Sequence, residues 1–379
     1  MMRNQIGAII IAAGLSSRMK IFKPLLKIGK KTAVEMAVTS MQQAGIQEIL
    51  VVTGYQWERI ADTLDTTSIQ LLVNEQYMKG MYSSIVKGVT NLSEKIKAFF
   101  LLPVDIPLIK SRTLQEIMTC YDETQAGIVY PVFNDIKGHP PLISTKYKEA
   151  IIANNLPGGL RSLLENYERD TAKIEVVDAG ITMDMDTQDD YVNLLEYYLA
   201  RSIPNEAECR AILKKFGTPM HILQHGEKVA MLACSIGKAL NEKGYNFNRD
   251  LLRASGMLHD IAKGRPCHAE AGGEILMNLG YPQVAKVIAA HMEIETKDCE
   301  NITEEEIIYL ADKMVNKCNI VSLEDRLRLS YEKYCHQPQA FKHIERRLKE
   351  AGHILNKIIK ITGLSEERII AFDQQGESK

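Results

Sequence analysis

The chain has 379 residues, which is long enough for two domains, and its 45% hydrophobic and 25% charged residues are ordinary for a globular protein. With 46 basic and 48 acidic side chains, the formal net charge of -2 gives no support to general binding of nucleic acids or anionic membranes. The sequence shows neither an apolar run of membrane-spanning length nor a signal-peptide pattern, so we expect a cytoplasmic protein. Its seven cysteines are scattered and form no C-x-x-C pair, which predicts reduced thiols.

The first predicted element is a buried strand that ends in a small polar loop. Residues 6–13 (IGAIIIAA) are all apolar or small, as in a strand buried on both faces, and Gly14 follows at the turn. A glycine there lets backbone N–H groups approach a ligand, and small hydroxyls near a helix N-terminus suit an anion. Arg18 and Lys23 add positive charge suited to a triphosphate. An ordinary turn with two solvated cations is the alternative interpretation.

Strand-like and helix-like segments alternate from residue 6 to about residue 198. Further strands are predicted over 48–53, 69–73 and 98–102, weaker ones over 127–131 and 141–144, and helices over 33–44 and 57–64. This alternation predicts an α/β fold in which helices cover both faces of a mostly parallel sheet. Ligands of such sheets bind at the carboxyl ends of the strands, where the glycine loop is expected to lie.

Two segments of the N-terminal half carry carboxylates that could lie near the end of the predicted sheet. Asp105 lies just past the predicted strand 98–102 and between two prolines, and residues 182–191 (TMDMDTQDDY) contain four more. Because an unpaired buried carboxylate is costly, Asp105 is expected either to be exposed at the strand end or to hold a cation. A simple turn aspartate is the alternative. Asp189 and Asp190 are better explained as acidic residues at the start of a helix.

The N-terminal half resembles the molybdenum cofactor nucleotidyltransferase-like (MobA-like) family, most of all its cytidylyltransferase branch. The motifs that carry the resemblance are AAGLSSRM at 12–19, KPLL at 23–26, LLPVDIP at 101–107 and D-x-D-T-x-x-D at 184–190. The resemblance implies a Rossmann-like (GT-A-type) nucleotidyltransferase domain over residues 1–200. It also implies a reaction in which the phosphate of an acceptor attacks the α-phosphorus of a nucleoside triphosphate and pyrophosphate leaves. Positioning and charge neutralisation perform most of such a transfer.

The resemblance also assigns residues to this transferase site. It implies that Mg²⁺ is held by Asp105 and Asp184, with Asp186 as the alternative second ligand, in keeping with the few carboxylates that Mg²⁺ usually takes. Arg18, Lys23 and Asp105 are the implied catalytic residues. The implied nucleotide-binding residues are Ala12, Ala13, Gly14, Leu15, Arg18, Lys23, Asn74, Gly80, Ser83, Ser84 and Asp105.

Two further segments of the resemblance concern the acceptor. His139 stands in a G-H-P motif, and Arg161 stands in a glycine-arginine segment in which Pro157 or Gly158 replaces the usual acidic residue. The family favours CTP as the nucleotide and molybdopterin as the acceptor. Because of the replaced acidic residue and because related folds use sugar and polyol phosphates, those acceptors remain alternatives.

The pattern becomes wholly helical after a polar linker at about 201–208. Apolar residues then recur at spacings of three and four, which predicts a second, all-α domain over 206–366 and a polar tail over 367–379. Histidines and aspartates lie beside these apolar stretches, where their side chains need polar partners. One divalent ion could serve as the partner of several of these side chains. These residues are His225, His259, Asp260, His268, His291 and Asp312. Isolated structural histidines are the alternative interpretation.

The spacing H…HD…D, with LHDIAKG at 258–264 and LADKMV at 310–315, is similar to that of the HD-domain phosphohydrolase superfamily. The resemblance implies one or two divalent ions of the Fe, Mn, Zn, Co or Ni type, held by the six residues above with Asp260 as a catalytic bridge. A two-metal site suits hydrolysis of phosphate esters. Lys263 and Arg265 are either phosphate contacts or solvated cations. A regulatory nucleotide-binding module without turnover is the alternative.

Overall fold

The computed structural model describes residues 5–15, 19, 21–294 and 301–372. The chain divides into two compact units, the first ending at Leu199 and the second beginning at Ala200. No helix among the described residues is long and apolar enough to cross a membrane.

The first unit alternates strands and helices. Its strands are β1 (Ile6–Ala12), β2 (Lys27–Ile28), β3 (Lys31–Thr32), β4 (Glu48–Thr53), β5 (Gln70–Val73), β6 (Ala98–Pro103), β7 (Ile128–Phe133), β8 (Ile136–Lys137), β9 (Leu142–Ser144) and β10 (Thr171–Glu175). Its helices are α1 (Ala33–Gln43), α2 (Trp57–Ala61), α3 (Met81–Thr90), α4 (Ser111–Thr124), α5 (Lys148–Ala153), α6 (Gly159–Glu165) and α7 (Gln188–Ala200).

One mixed sheet organises this unit, with the strand order β10-β7-β9-β6-β1-β4-β5 and β8 paired to β7. Strand β1 lies between β6 and β4 and is parallel to both. Every residue of β1 is buried, which explains its unbroken apolar sequence. Because β9 runs antiparallel to β6 and β7, the sheet is mostly rather than wholly parallel. The predicted α/β fold with a mostly parallel sheet is confirmed.

The second unit is built from helices. They are α8 (Glu206–Lys215), α9 (Met220–Asn241), α10 (Arg249–Leu258), α11 (His268–Asn278), α12 (Pro282–Ala289), α13 (Glu304–Met314), α14 (Leu323–Tyr334), α15 (Pro338–Thr362) and α16 (Glu366–Ile370). A two-strand hairpin, β11 (Val315–Asn316) and β12 (Asn319–Ile320), follows α13. Helix α16 occupies the first residues of the predicted polar tail, where Ile369 is buried.

Two glycines bring α9 and α10 into close contact. A Cβ atom at Gly256 would lie 2.4 Å from the Cα atom of Ala230, and one at Gly226 would lie 2.6 Å from the carbonyl oxygen of Met257. No side chain fits at either position, so the helix backbones approach each other directly. His225 is next to Gly226 and His259 is three residues after Gly256, so this contact fixes where both imidazoles lie.

Candidate functional site

Several residues predicted for the transferase site lie at the carboxyl edge of the first unit's sheet. Parallel pairing of β1 with β6 places Ile11 beside Pro103, so the loops after both strands leave the sheet at the same edge. The N–H group of Val104 donates to the carbonyl oxygen of Ile11 at 3.0 Å, which ties the loop before Asp105 to the end of β1. Ala12 and Ala13 are buried there, whereas Gly14 and Leu15 are exposed.

A buried lysine meets two carboxylates from distant parts of the chain. The Nζ atom of Lys23 lies 2.6 Å from Oδ1 of Asp186 and 3.5 Å from Oδ2 of Asp105. Lys23 begins a short turn, Lys23–Leu25, and only 11% of its side chain is exposed. The structure therefore brings three predicted site residues together within ion-pair distance. Arg18, the other predicted catalytic cation, lies outside the described residues.

The acidic residues are close enough to affect one another. Desolvation raises the pKa of Asp184, and the negative charges of Asp186 and Asp105 raise it further. Like charges that disfavour each other's ionised form are stabilised by a cation between them. Hard carboxylate oxygens are the ligands that Mg²⁺ prefers, so this donor set fits that ion. Asp190 instead accepts hydrogen bonds from Thr187 at the start of α7.

Asn74 forms the base of a second loop at the same edge. It is buried, and its side-chain amide donates to the hydroxyl oxygens of Ser83 and Ser84, both at 2.9 Å. Gly80, just before α3, has a φ of 95°, a positive value that favours glycine. Asn74 therefore positions the predicted loop residues.

The first unit contains a cavity of about 930 Å³, named here the acceptor-side cavity after the predicted contacts that line it. His139 and Arg161, the two predicted acceptor contacts, both line it. Tyr82, Tyr130 and Lys137 also line it and were not predicted, because isolated tyrosines and lysines give no sequence signal. Burial lowers the pKa of His139, and the negative charge of Asp105 partly opposes this shift, which relates the cavity electrostatically to the carboxylates.

In the second unit, three histidines direct their Nδ1 atoms at backbone carbonyl oxygens. The Nδ1 atoms of His225, His259 and His291 lie 3.0, 2.8 and 2.6 Å from backbone carbonyl oxygens. An Nδ1–H group that donates to a carbonyl leaves Nε2 as the ring atom with a free lone pair. The acceptors are the carbonyl oxygens of Lys317, Gly256 and Ile288, respectively. Each of the three Nε2 atoms is therefore prepared to bind a metal ion.

Two of these imidazoles face carboxylates at a first candidate metal position. Nε2 of His225 lies 3.0 Å from Oδ1 of Asp312, and Nε2 of His259 lies 3.4 Å from the same oxygen. Nε2 of His259 is also 3.4 Å from Oδ2 of Asp260. This Nε2 atom is buried and has no hydrogen-bond partner within the described part of the chain. A buried polar atom without a partner is costly, and a metal ion would satisfy it.

A second candidate position adjoins the first. Oδ1 of Asp260 lies 3.5 Å from Nε2 of His268 and 3.7 Å from Nε2 of His291, and these two nitrogens are 3.3 Å apart. Asp260 thus presents one oxygen to each position. All six predicted metal residues of this unit converge on the two positions. This geometry fits the bridging arrangement that the sequence resemblance implies.

The protonation behaviour of the histidines fits a cation site. Burial disfavours a charged His259, but the carboxylates of Asp260 and Asp312 outweigh burial and raise its pKa to about 10. A positive charge between the two carboxylates is therefore favourable. Burial lowers the pKa of His268 and His291, so these rings are neutral and keep their lone pairs. Mixed imidazole and carboxylate donors suit Fe, Mn, Co, Ni or Zn.

Lys263 contacts this cluster, and Arg265 follows it two residues later. The Nζ atom of Lys263 contacts Oδ2 of Asp260, while half of its side chain is exposed. Arg265 is exposed in the turn after it. Both can meet an anion that approaches from solvent.

Comparisons with known proteins agree with this two-unit description. Residues 8–172 match the family model of the MobA-like NTP transferase domain, and residues 222–317 match that of the HD domain. A molybdenum cofactor cytidylyltransferase from Escherichia coli K12 is 29% identical over 197 residues, which cover 52% of this chain and 98% of that protein. A bifunctional protein GlmU from Staphylococcus carnosus is 31% identical over 121 residues, which cover 31% of this chain and 26% of that protein.

Solved structures also align with the chain. Rv0371c from Mycobacterium tuberculosis H37Rv aligns at 22% identity with a TM-score of 0.46, covering 51% of this chain and 99% of that one. A nucleotidyl transferase from Methanothermobacter thermautotroptrophicus aligns at 19% identity with a TM-score of 0.46, covering 52% of this chain and 99% of that one.

Proposed function

Because the chain carries a MobA-like NTP transferase domain followed by an HD domain, we propose that it is an enzyme with two active sites. The first site transfers the nucleotide of CTP to a phosphorylated acceptor, favoured to be molybdopterin, and releases pyrophosphate. The second site hydrolyses a phosphate ester. The observation that carries the transferase proposal is the convergence of Lys23, Asp105 and Asp186 at the carboxyl edge of the sheet.

In this proposal the residues of the first site position groups and neutralise charge. Asp105 and Asp184 would hold Mg²⁺, with Asp186 beside them, and Lys23 would stabilise negative charge on the triphosphate. Mg²⁺, when bound, supplies positive charge to the phosphate oxygens. The phosphate of the acceptor is already ionised, so no side chain is needed to remove a proton from it.

Two observations support molybdopterin as the acceptor. The molybdenum cofactor cytidylyltransferase from Escherichia coli aligns over 98% of its own length with 52% of this chain. The acceptor-side cavity combines two tyrosines, which suit a planar heterocycle, with cationic Lys137 and Arg161, which suit a phosphate. A sugar or polyol phosphate is the second candidate, since Gly158 lines the cavity and Pro157 or Gly158 stands where the resembled family has an acidic residue.

The transferase proposal is tested by pyrophosphate release from the full chain with Mg²⁺ and each of the four nucleoside triphosphates. Each nucleotide is tried with molybdopterin, with a sugar phosphate, with a polyol phosphate and without an acceptor. Release that needs both CTP and molybdopterin supports the proposal. Release that needs a sugar or polyol phosphate supports the second candidate, and release with no combination contradicts both.

For the second site, the proposal rests on the buried Nε2 atom of His259, which faces the carboxylates of Asp260 and Asp312 but has no hydrogen-bond partner within the described residues. Six side chains would hold two divalent ions, which supply charge to a phosphoryl group and acidify water when bound. Asp260 would fix the two ion positions relative to each other, and Lys263 would attract the phosphate. A regulatory module that binds nucleotide without turnover is the alternative. Metal-dependent release of phosphate or of p-nitrophenol from model esters supports hydrolysis, whereas nucleotide binding without release supports the alternative.

A further inference from the structure

A buried lysine lies behind the metal-site carboxylate Asp312. Lys313 is in the last turn of α13, and only 10% of its side chain is exposed. Its Nζ atom donates to Oδ2 of Asp312 at 2.6 Å and to the carbonyl oxygen of His291 at 3.1 Å, and it lies 4.5 Å from the ring centroid of Tyr309. An ammonium group has three N–H donors, and two oxygens and one ring face can accept all three. The cost of burying this charge is therefore offset locally.

The two oxygens that Lys313 contacts belong to residues of different candidate metal positions. Asp312 presents Oδ1 to His225 and to the first position, while Lys313 occupies Oδ2. His291 presents Nε2 to Asp260 and to the second position, while Lys313 holds its backbone carbonyl oxygen. Lys313 thus contacts each residue on the side that faces away from the candidate metal position.

From these contacts we propose that Lys313 is a positioning residue that joins the two metal positions of the HD unit. It restricts Asp312 to one coordinating oxygen and fixes the backbone that carries His291. The inference deepens the proposed phosphohydrolase site and depends on it. Lys263 differs, because it is half exposed and reaches Asp260 from the solvent side.

The proposal predicts which position depends more on Lys313. Four side chains face the first position: His225, His259, Asp260 and Asp312. Three side chains face the second position, and His291 is one of them. Loss of the contact to the His291 backbone therefore weakens the position that has fewer ligands. Residues that orient metal ligands typically change metal affinity by about 10- to 100-fold.

Mn²⁺ binding to the full chain tests the role of Lys313. All variants carry Asp105→Ala, which removes a carboxylate of the proposed transferase site. Metal content is measured by elemental analysis, Mn²⁺ affinity by calorimetry, and coupling between the ions by electron paramagnetic resonance. If the two oxygens of Asp260 hold one Mn²⁺ ion each, the parent protein is expected to give an exchange-coupled spectrum. Lys313→Met is expected to bind the second ion at least about tenfold more weakly. It is also expected to show the spectrum of isolated Mn²⁺ at one equivalent.

Lys286→Met is the matched control, because Lys286 is 79% exposed and pairs only with Glu305 among its described ion pairs. It is expected to keep the coupled spectrum. If Lys313→Met fails to fold, Lys313→Gln replaces it, because its amide is polar but too short to reach both oxygens, and it is expected to weaken the second ion in the same way. Parental affinity and coupling in the folded variant at Lys313 overturn the role of Lys313 alone. A parent that binds no Mn²⁺ at this unit overturns the metal site itself.

Discussion

Nε2 of His225 lies 3.0 Å from Oδ1 of Asp312, although 87 residues separate them in the chain. Helix α9 supplies the histidine and α13 supplies the carboxylate, and both helices pack beside α10, which leads into His259 and Asp260. The separate pieces of the H…HD…D pattern therefore meet because three helices share one core. A single carboxylate oxygen faces two imidazoles, an arrangement that a divalent ion would stabilise.

Removing Asp105 should stop nucleotide transfer without unfolding the first unit. Asp105→Ala takes away an implied Mg²⁺ ligand but leaves the buried strand β6 unchanged, so we expect at least about a 100-fold loss of kcat/KM, or about 2.7 kcal/mol. Pyrophosphate release measures the loss, and circular dichroism checks the fold. Asp122→Asn, an exposed substitution on α4, is the control. A folded Asp105→Ala protein with near-normal turnover would exclude Asp105 from the site.

Removing Asp260 should empty both metal positions of the second unit. Its two oxygens face different positions, so Asp260→Ala should reduce metal affinity by more than about 100-fold, beyond the effect of a residue that only orients a ligand. Elemental analysis after dialysis measures the metal content of the protein. His353→Gln, on the exposed face of α15, should retain all of the metal. Full retention by the Asp260 variant would show that the metal lies elsewhere.

Removing Arg161 should affect the acceptor and not the nucleotide. Arg161 lines the acceptor-side cavity and its side chain is exposed, so it can move to meet a phosphate. Loss of one charged hydrogen bond of about 1.5 kcal/mol should raise the KM for the acceptor about tenfold while the KM for CTP stays within twofold. Steady-state kinetics with each substrate varied will separate the two. Arg112→Ala, in which the removed arginine pairs with Glu116 on α4, is the control. An unchanged acceptor KM would remove Arg161 from the acceptor site.

Tyr147 should stabilise the first unit in a pH-dependent way. Its hydroxyl donates to Asp170, which also accepts from the Gly127 N–H group and pairs with Lys146. The hydrogen bonds from Lys146 and Tyr147 lower the pKa of Asp170 below its ordinary value of 3.8. A carboxyl with a lowered folded-state pKa stabilises the fold above the ordinary pKa and loses that effect as the pH falls through the folded value.

Tyr147→Phe should therefore lower the unfolding free energy at pH 7. We expect a loss of only about 1 kcal/mol, because Asp170 is partly exposed to solvent. The loss should become smaller below pH 4, where Asp170 takes up a proton. Urea unfolding followed by the fluorescence of Trp57, the single tryptophan, reports on this unit. Tyr121→Phe is the control, since the hydroxyl of Tyr121 makes no hydrogen bond within the described chain. An equal difference at both pH values would contradict the role of Asp170.

The strands that sequence predicted best are those buried on both faces. The range 48–53 agrees with β4, and 98–102 agrees with β6 to within one residue. Strand β10 was missed, because it lies at the sheet edge, its residues are half-buried or exposed, and it lacks a continuous apolar run. The antiparallel direction of β9 was also not predicted, since an apolar run carries no direction.

Site residues were predictable where several polar residues share a motif. The proximity of Lys23 to Asp186, 163 residues away, depends on tertiary packing, as does the access of His225 Nδ1 to the carbonyl of Lys317. Backbone acceptors have no sequence signature, because every residue offers a carbonyl. Lys313 was also not predicted as part of the site, since a lysine after an aspartate reads as an ordinary helix-terminal cation.

In the proposed reaction, the first unit transfers a nucleotide to a phosphorylated acceptor by means of the carboxylates around Lys23. The most direct test is the full chain with Mg²⁺, α-³²P-labelled CTP and molybdopterin, with the products separated by chromatography. We predict a labelled product that contains both the nucleotide and the acceptor, formed by the wild-type protein and not by Asp105→Ala. Absence of label from any acceptor product, with molybdopterin or with sugar and polyol phosphates in its place, would contradict the account.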